Sequence, residues 1–175
     1  MNPALEQKPS VGVRIGSMLL DHFFLGMSFG IIMMTYQTVT GSITKFELPV
    51  VPFYVFIAIY LNKDAIKGQS IAKRLLGLQI VDRKTGQPAK EFQCFLRNMT
   101  IPAWPVEAIV VLFSPARRIG DLIAGTQTVV GIKRPLMSIF TDLRGQRPNR
   151  ITVLTLLTTF IYTVLLWMLM DNILP

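Results

Sequence analysis

Apolar positions along this chain gather into four blocks: about Ile15 to Tyr36, Phe46 to Leu61, Phe92 to Phe113, and Ile151 to Met170. Only the last is a run of twenty residues without a charge. As a helix it is long enough to cross a hydrocarbon core of about 30 Å. The first is long but holds Asp21 and His22, with Arg14 just before it. A signal h-region would carry no charge, so this block reads as a retained anchor. The second is short, and local bilayer thinning or snorkelling flanks would let it cross. The third is interrupted by Ile101-Pro102-Ala103-Trp104-Pro105. Proline both removes a helix donor and turns its predecessor away from the helix. The arms of this block, Glu91–Ile101 and Val106–Phe113, would be about 16 and 12 Å long, too short to span alone.

The polar stretches between the blocks have patterns of their own. Ala72–Leu76 reads as a short amphipathic helix, Leu78–Val81 as a β-like run, and Asp82–Pro88 as a turn in which Gly86 can take a positive φ. Gly125 reads as a helix stop, followed by a second β-rich run, Thr126–Val130. The two runs can pair as a small sheet if they lie on the same side of the membrane.

Composition supports a bilayer as solvent. Hydrophobic residues make up 51% and charged residues 16% of the 175 residues, against about 25% charged in soluble domains. The net charge of +8 sits beside the apolar blocks, which fits loops facing anionic lipid rather than nucleic acid. Eight basic residues fall in 62–98 and seven in 115–150, while the loop 37–47 holds only Lys45. If the third block crossed fully, Lys45 and the seven would lie outside; if it dips and returns, only Lys45 does. The positive-inside rule prefers the second arrangement, with a cytoplasmic N-terminus. The fold expected is therefore an all-α membrane protein with three transmembrane helices, a broken re-entrant or interfacial helical pair (alternatively four spans), and a small cytoplasmic β-hairpin or sheet.

Charges within apolar segments are costly and persist when paired or functional. Arg14 and Asp21 share one helix face, but the rise between them is about 10 Å, so each needs another partner. Asp121, in a short helix at the membrane edge, can face Arg14 across a helix interface. A structural ion-pair network, an ion or substrate site, and independent surface charges are the three readings open for these residues. Glu107 is either a buried carboxylate or an interfacial one facing water. Arg97, beside Asn98 in an apolar helix, is expected to snorkel to the interface. Gly12 and Gly16, and Gly26 and Gly30, have the small-xxx-small spacing that permits close helix approach. With Cys94 the only cysteine and His22 the only histidine, no disulfide forms within the chain and no metal centre is expected. No nucleophile–base motif points to an enzyme, and no cofactor is implied.

These residues, taken in order, resemble a known family. Arg14 and Asp21, then Gly68-Gln69-Ser70-Ile71-Ala72-Lys73-Arg74-Leu75-Leu76-Gly77-Leu78, then Leu96-Arg97-Asn98, then Arg118-Ile119-Gly120-Asp121-Leu122-Ile123-Ala124-Gly125-Thr126, are similar to the RDD family of bacterial membrane proteins. That family is named for one arginine and two aspartates, which here would be Arg14, Asp21 and Asp121, with Arg97, Asn98, Arg118 and Glu107 as secondary candidates. The resemblance covers 8–134 and implies a small helical domain of the bacterial inner (plasma) membrane. Residues 135–150 then read as a basic cytoplasmic linker and 151–171 as an additional transmembrane helix. Some family members are associated with transport, including cation/proton exchange; others accompany unrelated modules in accessory roles. Two functions follow as expectations: an exchanger using the intramembrane Arg and Asp residues, or a non-catalytic scaffold binding a protein partner. Either fits a homo-oligomer, and neither implies nucleic acid.

Overall fold

The computed structural model describes residues 7–41, 50–100 and 103–173. The chain is mostly helical. Helix α1 spans Val11–Thr40, α2 Val50–Asn62, α3 Ile71–Leu76, α4 Glu91–Asn98, α5 Trp104–Phe113, α6 Ile119–Ala124, α7 Ser138–Gly145 and α8 Arg150–Ile173, with strands β1 (Leu78–Asp82) and β2 (Thr126–Val130).

Helix α1 starts where the Ser10 hydroxyl accepts from the Val13 amide, satisfying one of the free donors of the first turn. It ends at Gly41, whose φ of 68° lies in the left-handed region, a common way for a helix to close. Its buried residues are Arg14, Ser17, Met18, Asp21 and Leu25, a single stripe at helical spacing confined to the N-terminal half. At its 30 residues, α1 is roughly 45 Å long, more than a bilayer core requires. Beyond its buried stripe the helix exposes Phe23, Met27, Ile31 and Met34. Helix α8 likewise exposes Leu157, Phe160, Leu165 and Leu169. Apolar surface of this extent is incompatible with water around both helices. Both are long and apolar enough to cross a membrane.

Between them sits α2, packed on α1 and on α8. Asn62 at its end donates to Thr159 Oγ1 at 3.0 Å, and Tyr162 donates to the Met99 carbonyl at 2.8 Å, tying α8 to the end of α4. Helix α2 has 13 residues, about 20 Å, so by itself it is short of a full crossing. The expected second block begins at Phe46, and its first part, like Lys45, lies outside the described residues. So does the Ile101-Pro102 step on which the expected break of the third block rests. The flanking arms are nonetheless two separate helices, α4 and α5.

The two β-rich runs do pair, antiparallel, from Leu78 opposite Val130 to Asp82 opposite Thr126. Each outer edge is met by the chain's own backbone. Ile80 N–H donates to the Gly68 carbonyl, and Thr128 and Val130 N–H donate to the carbonyls of Ala116 and Gln7. Edges covered in this way are poor templates for another strand. Gly68 is required at its close approach: φ is +66°, and an added Cβ would lie 2.3 Å from the Ile80 carbonyl oxygen. Only glycine tolerates both conditions.

The structure adds detail at two places. The stretch expected as a linker, 135–150, contains α7, pinned to the body by Asp142, which pairs with Lys67 at 2.6 Å and Arg74 at 2.8 Å. The small-xxx-small glycines Gly12, Gly16, Gly26 and Gly30 would have nothing within 4 Å of an added Cβ, so no described part of this chain packs closely on them.

Candidate functional site

Where α1, α2, α3, α4 and α6 converge, below the sheet, charged side chains form a continuous buried chain of contacts. Asp21 reaches inward from the buried stripe of α1. Its Oδ2 lies 2.8 Å from Lys73 Nζ and 3.8 Å from Lys63 Nζ. Lys73 sits on α3, which starts where Ser70 accepts from the Lys73 amide and ends at Gly77 with φ 67°. These are an ordinary N-cap and an ordinary left-handed C-cap. Lys73 Nζ also pairs with Asp64 Oδ1 at 2.9 Å. The other Asp64 oxygen takes Arg97 Nη1 at 3.0 Å. Arg97 then grips Asp121 with two nitrogens, Nε to Oδ1 at 2.8 Å and Nη2 to Oδ2 at 3.2 Å. Arg14 closes the series, its Nη2 donating to Asp121 Oδ2 at 3.3 Å.

A branch leaves from Arg118. Its Nε lies 3.0 Å from Glu107 Oε2, and its Nη2 donates to Asn98 Oδ1 at 2.7 Å. Glu107 also accepts from the Thr100 hydroxyl and from the Gly120 amide at 2.8 Å. The Gly120 position is imposed by packing: a Cβ there would lie 2.0 Å from the Arg97 carbonyl oxygen. Only a glycine lets α6 approach α4 closely enough for Arg97 to reach Asp121 in this two-pronged way.

Burial sets the electrostatics. Asp64, Arg97 and Asp121 are 0% exposed and Arg14 is 1% exposed. Burial alone would raise the Asp121 carboxyl. Arg97, Arg14 and Arg118 outweigh it and hold the group well below the usual carboxylate range. Asp64 shows the same balance: burial pushes up, and Lys73, Arg97 and Lys63 pull it further down. In both cases nearby opposite charge favours the ionised form more than desolvation opposes it. Lys63 goes the other way. Burial, only partly offset by Asp21, lowers it to about 8. Five cations (Arg14, Lys63, Lys73, Arg97, Arg118) meet four carboxylates (Asp21, Asp64, Asp121, Glu107), which leaves one positive charge in excess. Arg14 Nε and Nη1, and the hydroxyl of Ser17 one turn on, have no hydrogen-bond partner among the described residues.

All seven residues singled out in the sequence meet here. Arg14 faces Asp121, and Arg14 and Asp21 make no direct contact. Arg97 does not snorkel, because two buried carboxylates hold it inside. Glu107 is buried against Arg118 rather than facing water. Sequence reasoning missed Lys73, Asp64 and Lys63, the residues that connect Asp21 to the rest. The available signal was Lys73 itself, a cation between Ala72 and Leu75 with no acidic partner three or four residues away on its own short helix.

A cleft of about 400 Å³ adjoins the Asp21 end. Asp21, Ser28, Asn62, Lys63 and Ser70 give it a polar floor, and Ile139 and Leu143 of α7 contribute to its apolar wall. Among the described residues, no group of three or more His, Cys, Asp or Glu is arranged to hold a metal ion.

No curated protein and no solved structure matches this sequence. The model of the RDD family matches residues 8–173, so the match continues through α7 and α8. With that span, with two helices apolar and long enough for a bilayer, and with Arg14, Asp21 and Asp121 joined in one buried layer, the chain belongs to the RDD family and is a membrane-protein domain.

Proposed function

We propose that this domain is a non-catalytic membrane module, in which the buried ion pairs lock a folded cytoplasmic cap onto the transmembrane helices and present it to a protein partner. One observation carries this reading: each carboxylate of the layer is already held by cations of the chain. Away from the layer, moreover, α1 beyond Asp21, α2, and α8 from Ile151 to Met170 carry no Asp, Glu, Lys or Arg. A single chain thus has no charged relay through these helices. Breaking a buried pair by removing one partner costs about 3–5 kcal/mol, the scale of an interaction that fixes a fold. In this arrangement α1, α2 and α8 are the three spans and α4–α5 lie at the interface. The N-terminus and the basic segments face the cytoplasm of a bacterium, and the membrane is the inner one.

One observation favours cation/proton exchange as a second reading. Lys63 is only loosely placed on Asp21, borders the cleft, and is lowered to about 8. The layer is already one charge positive, so a cation arriving at Asp21 would expel the Lys63 proton, which is an exchange. An oligomer would have to supply the path. Purified protein in liposomes carrying a pH dye separates the two. The module reading expects no cation-driven proton flux in either direction, together with a protein partner that co-purifies in fixed stoichiometry. Flux by the wild type that vanishes in a monodisperse Asp21→Asn variant would overturn it and establish exchange.

A further inference from the structure

We infer that α7 lies in the plane of the membrane surface as an anionic-lipid-binding helix, anchored outward by an apolar stripe and a cluster of arginines and inward by Asp142. The helix is preceded by a turn in which the Ser138 and Ile139 amides bond to the Pro135 and Leu136 carbonyls. Its inward side carries Ser138, Ile139 and Asp142. Arg74 Nη1 donates to Ser138 Oγ and to Asp142 Oδ2, both at 2.8 Å. The outward side of the turn and helix together carries Leu136, Met137 and Phe140, at the i, i+1, i+4 spacing of one helical stripe, with Leu143 at its edge toward the cleft. Met137 is 73% and Phe140 57% exposed.

Position and charge together name the occupant. The apolar run of α8 begins at Ile151, immediately after Arg150. The boundary of the hydrocarbon is therefore only a few residues from the end of α7. Arg144, Arg147 and Arg150, all exposed, follow the stripe within seven residues of Leu143 in sequence. The one acid of α7, Asp142, is turned inward onto Lys67, Arg74 and Arg134. The outward surface is thus apolar and purely cationic, the composition of a helix that rests among anionic head groups. Each arginine near an anionic leaflet favours the bound state about five-fold, so the three together amount to on the order of 100-fold. Because Ile139 and Leu143 also wall the cleft beside Asp21 and Lys63, the lipid-bound helix would roof that cleft. This holds whether the domain is a partner-binding module or an exchanger.

The test uses the full chain with Thr141→Cys, an exposed position of α7, labelled with an environment-sensitive fluorophore. Cys94 is 0% exposed and stays unlabelled. The protein is reconstituted in phosphatidylcholine with and without phosphatidylglycerol. The proposal expects quenching by shallow spin-labelled lipid that rises when phosphatidylglycerol is present. That rise should be lost at high salt and in an Arg144→Gln, Arg147→Gln, Arg150→Gln variant, which alters no residue of the ion-pair layer. Three results overturn it: quenching by aqueous iodide in both vesicles, shielding from lipid and iodide alike as a protein contact would give, or lipid quenching that ignores head-group charge.

Discussion

Asp121→Asn is the sharpest perturbation of the buried layer. The carboxylate accepts from Arg97 Nε and Nη2, Arg14 Nη2, the Thr126 hydroxyl and the Arg118 amide. Asparagine keeps the shape but offers a single acceptor oxygen, and its amide N–H groups would point at donors. Arg97 keeps Asp64. Arg14 loses the carboxylate it pairs with and stays 1% exposed. An uncompensated buried charge of this kind costs about 3–5 kcal/mol. For a chain of this size each kcal/mol lowers the melting midpoint by roughly 2–4 °C, so the fall should be about 10 °C. Fluorescence-detected size-exclusion chromatography after heating in detergent reads this directly. Arg14→Met supplies the control, since removing the stranded guanidinium together with its partner should recover part of the loss. The pH response has a defined sign. The folded-state pKa lies below the usual range. Ionised Asp121 therefore contributes its stability above the ordinary carboxylate pKa, and that contribution is lost as pH falls through the depressed value. Wild-type stability should survive mild acid better than that of a variant whose carboxylate lacks Arg97. A midpoint within about 2 °C of wild type at neutral pH, or a double variant equal to the sum of the singles, would refute the claim that this carboxylate organises the layer.

Three further outcomes are expected. Gly120→Ala places a methyl 2.0 Å from the Arg97 carbonyl oxygen, and prying α6 from α4 should cost about 1–3 kcal/mol, visible as a lower midpoint while Gly145→Ala stays near wild type. Arg97→Lys keeps the charge but cannot bridge Asp64 and Asp121 with three nitrogens, so it should destabilise nearly as much as Arg97→Gln, measured in the same heating assay. Lys63 is lowered to about 8 by burial; its folded form sheds the proton before its unfolded form does, so stability should rise as pH climbs from about 8 toward the ordinary lysine range. Lys63→Met should remove that slope in midpoints compared between neutral and alkaline buffer, and identical slopes would count against a buried Lys63 facing Asp21, Lys73 and Asp64.

Several features were legible in the sequence because their cause is local. The β-rich runs at Leu78 and Thr126, the turn at Gly86 and the stop at Gly125 each follow from the residue in place, and the two strands pair with each other. The long apolar helices were legible from length and lack of charge. Partnership was less so. That Arg14 needed a carboxylate on another helix followed from the rise along α1, and Asp121 was the candidate on a facing helix. The partners of Asp21 were hard to read because Lys63, Asp64 and Lys73 lie in a segment rich in lysines and arginines, where the missing acidic neighbour of Lys73 on its own helix is the one local sign of a distant partner. Arg97 was misjudged for a related reason. A long cation near a helix end reaches water cheaply when water is within range. Here α6 covers it, and that cover depends on Gly120, on a different helix well downstream in the chain. Helix α7 was not legible because it is short and carries Asp142, whose role emerges only once Arg74 is brought beside it.

The geometry also explains how three residues that do not touch as a set can mark one structure. Asp21 and Asp121 are the ends of the connected series, and Arg14 returns from the second end to the helix that carries the first. The intermediate contacts, Lys73 to Asp64 and Asp64 to Arg97, each alternate in sign, so every interior charge has an opposite neighbour on both sides. Removing an end strands one group. Removing an interior member such as Asp64 leaves Lys73 only Asp21 and Arg97 only Asp121, and divides the layer in two. The energetic weight therefore lies on Asp64, Arg97 and Asp121, where low local dielectric makes unpaired charge most costly, and the Asp21 end, with Lys63 3.8 Å away beside the cleft, holds the cation whose charge changes most readily with pH.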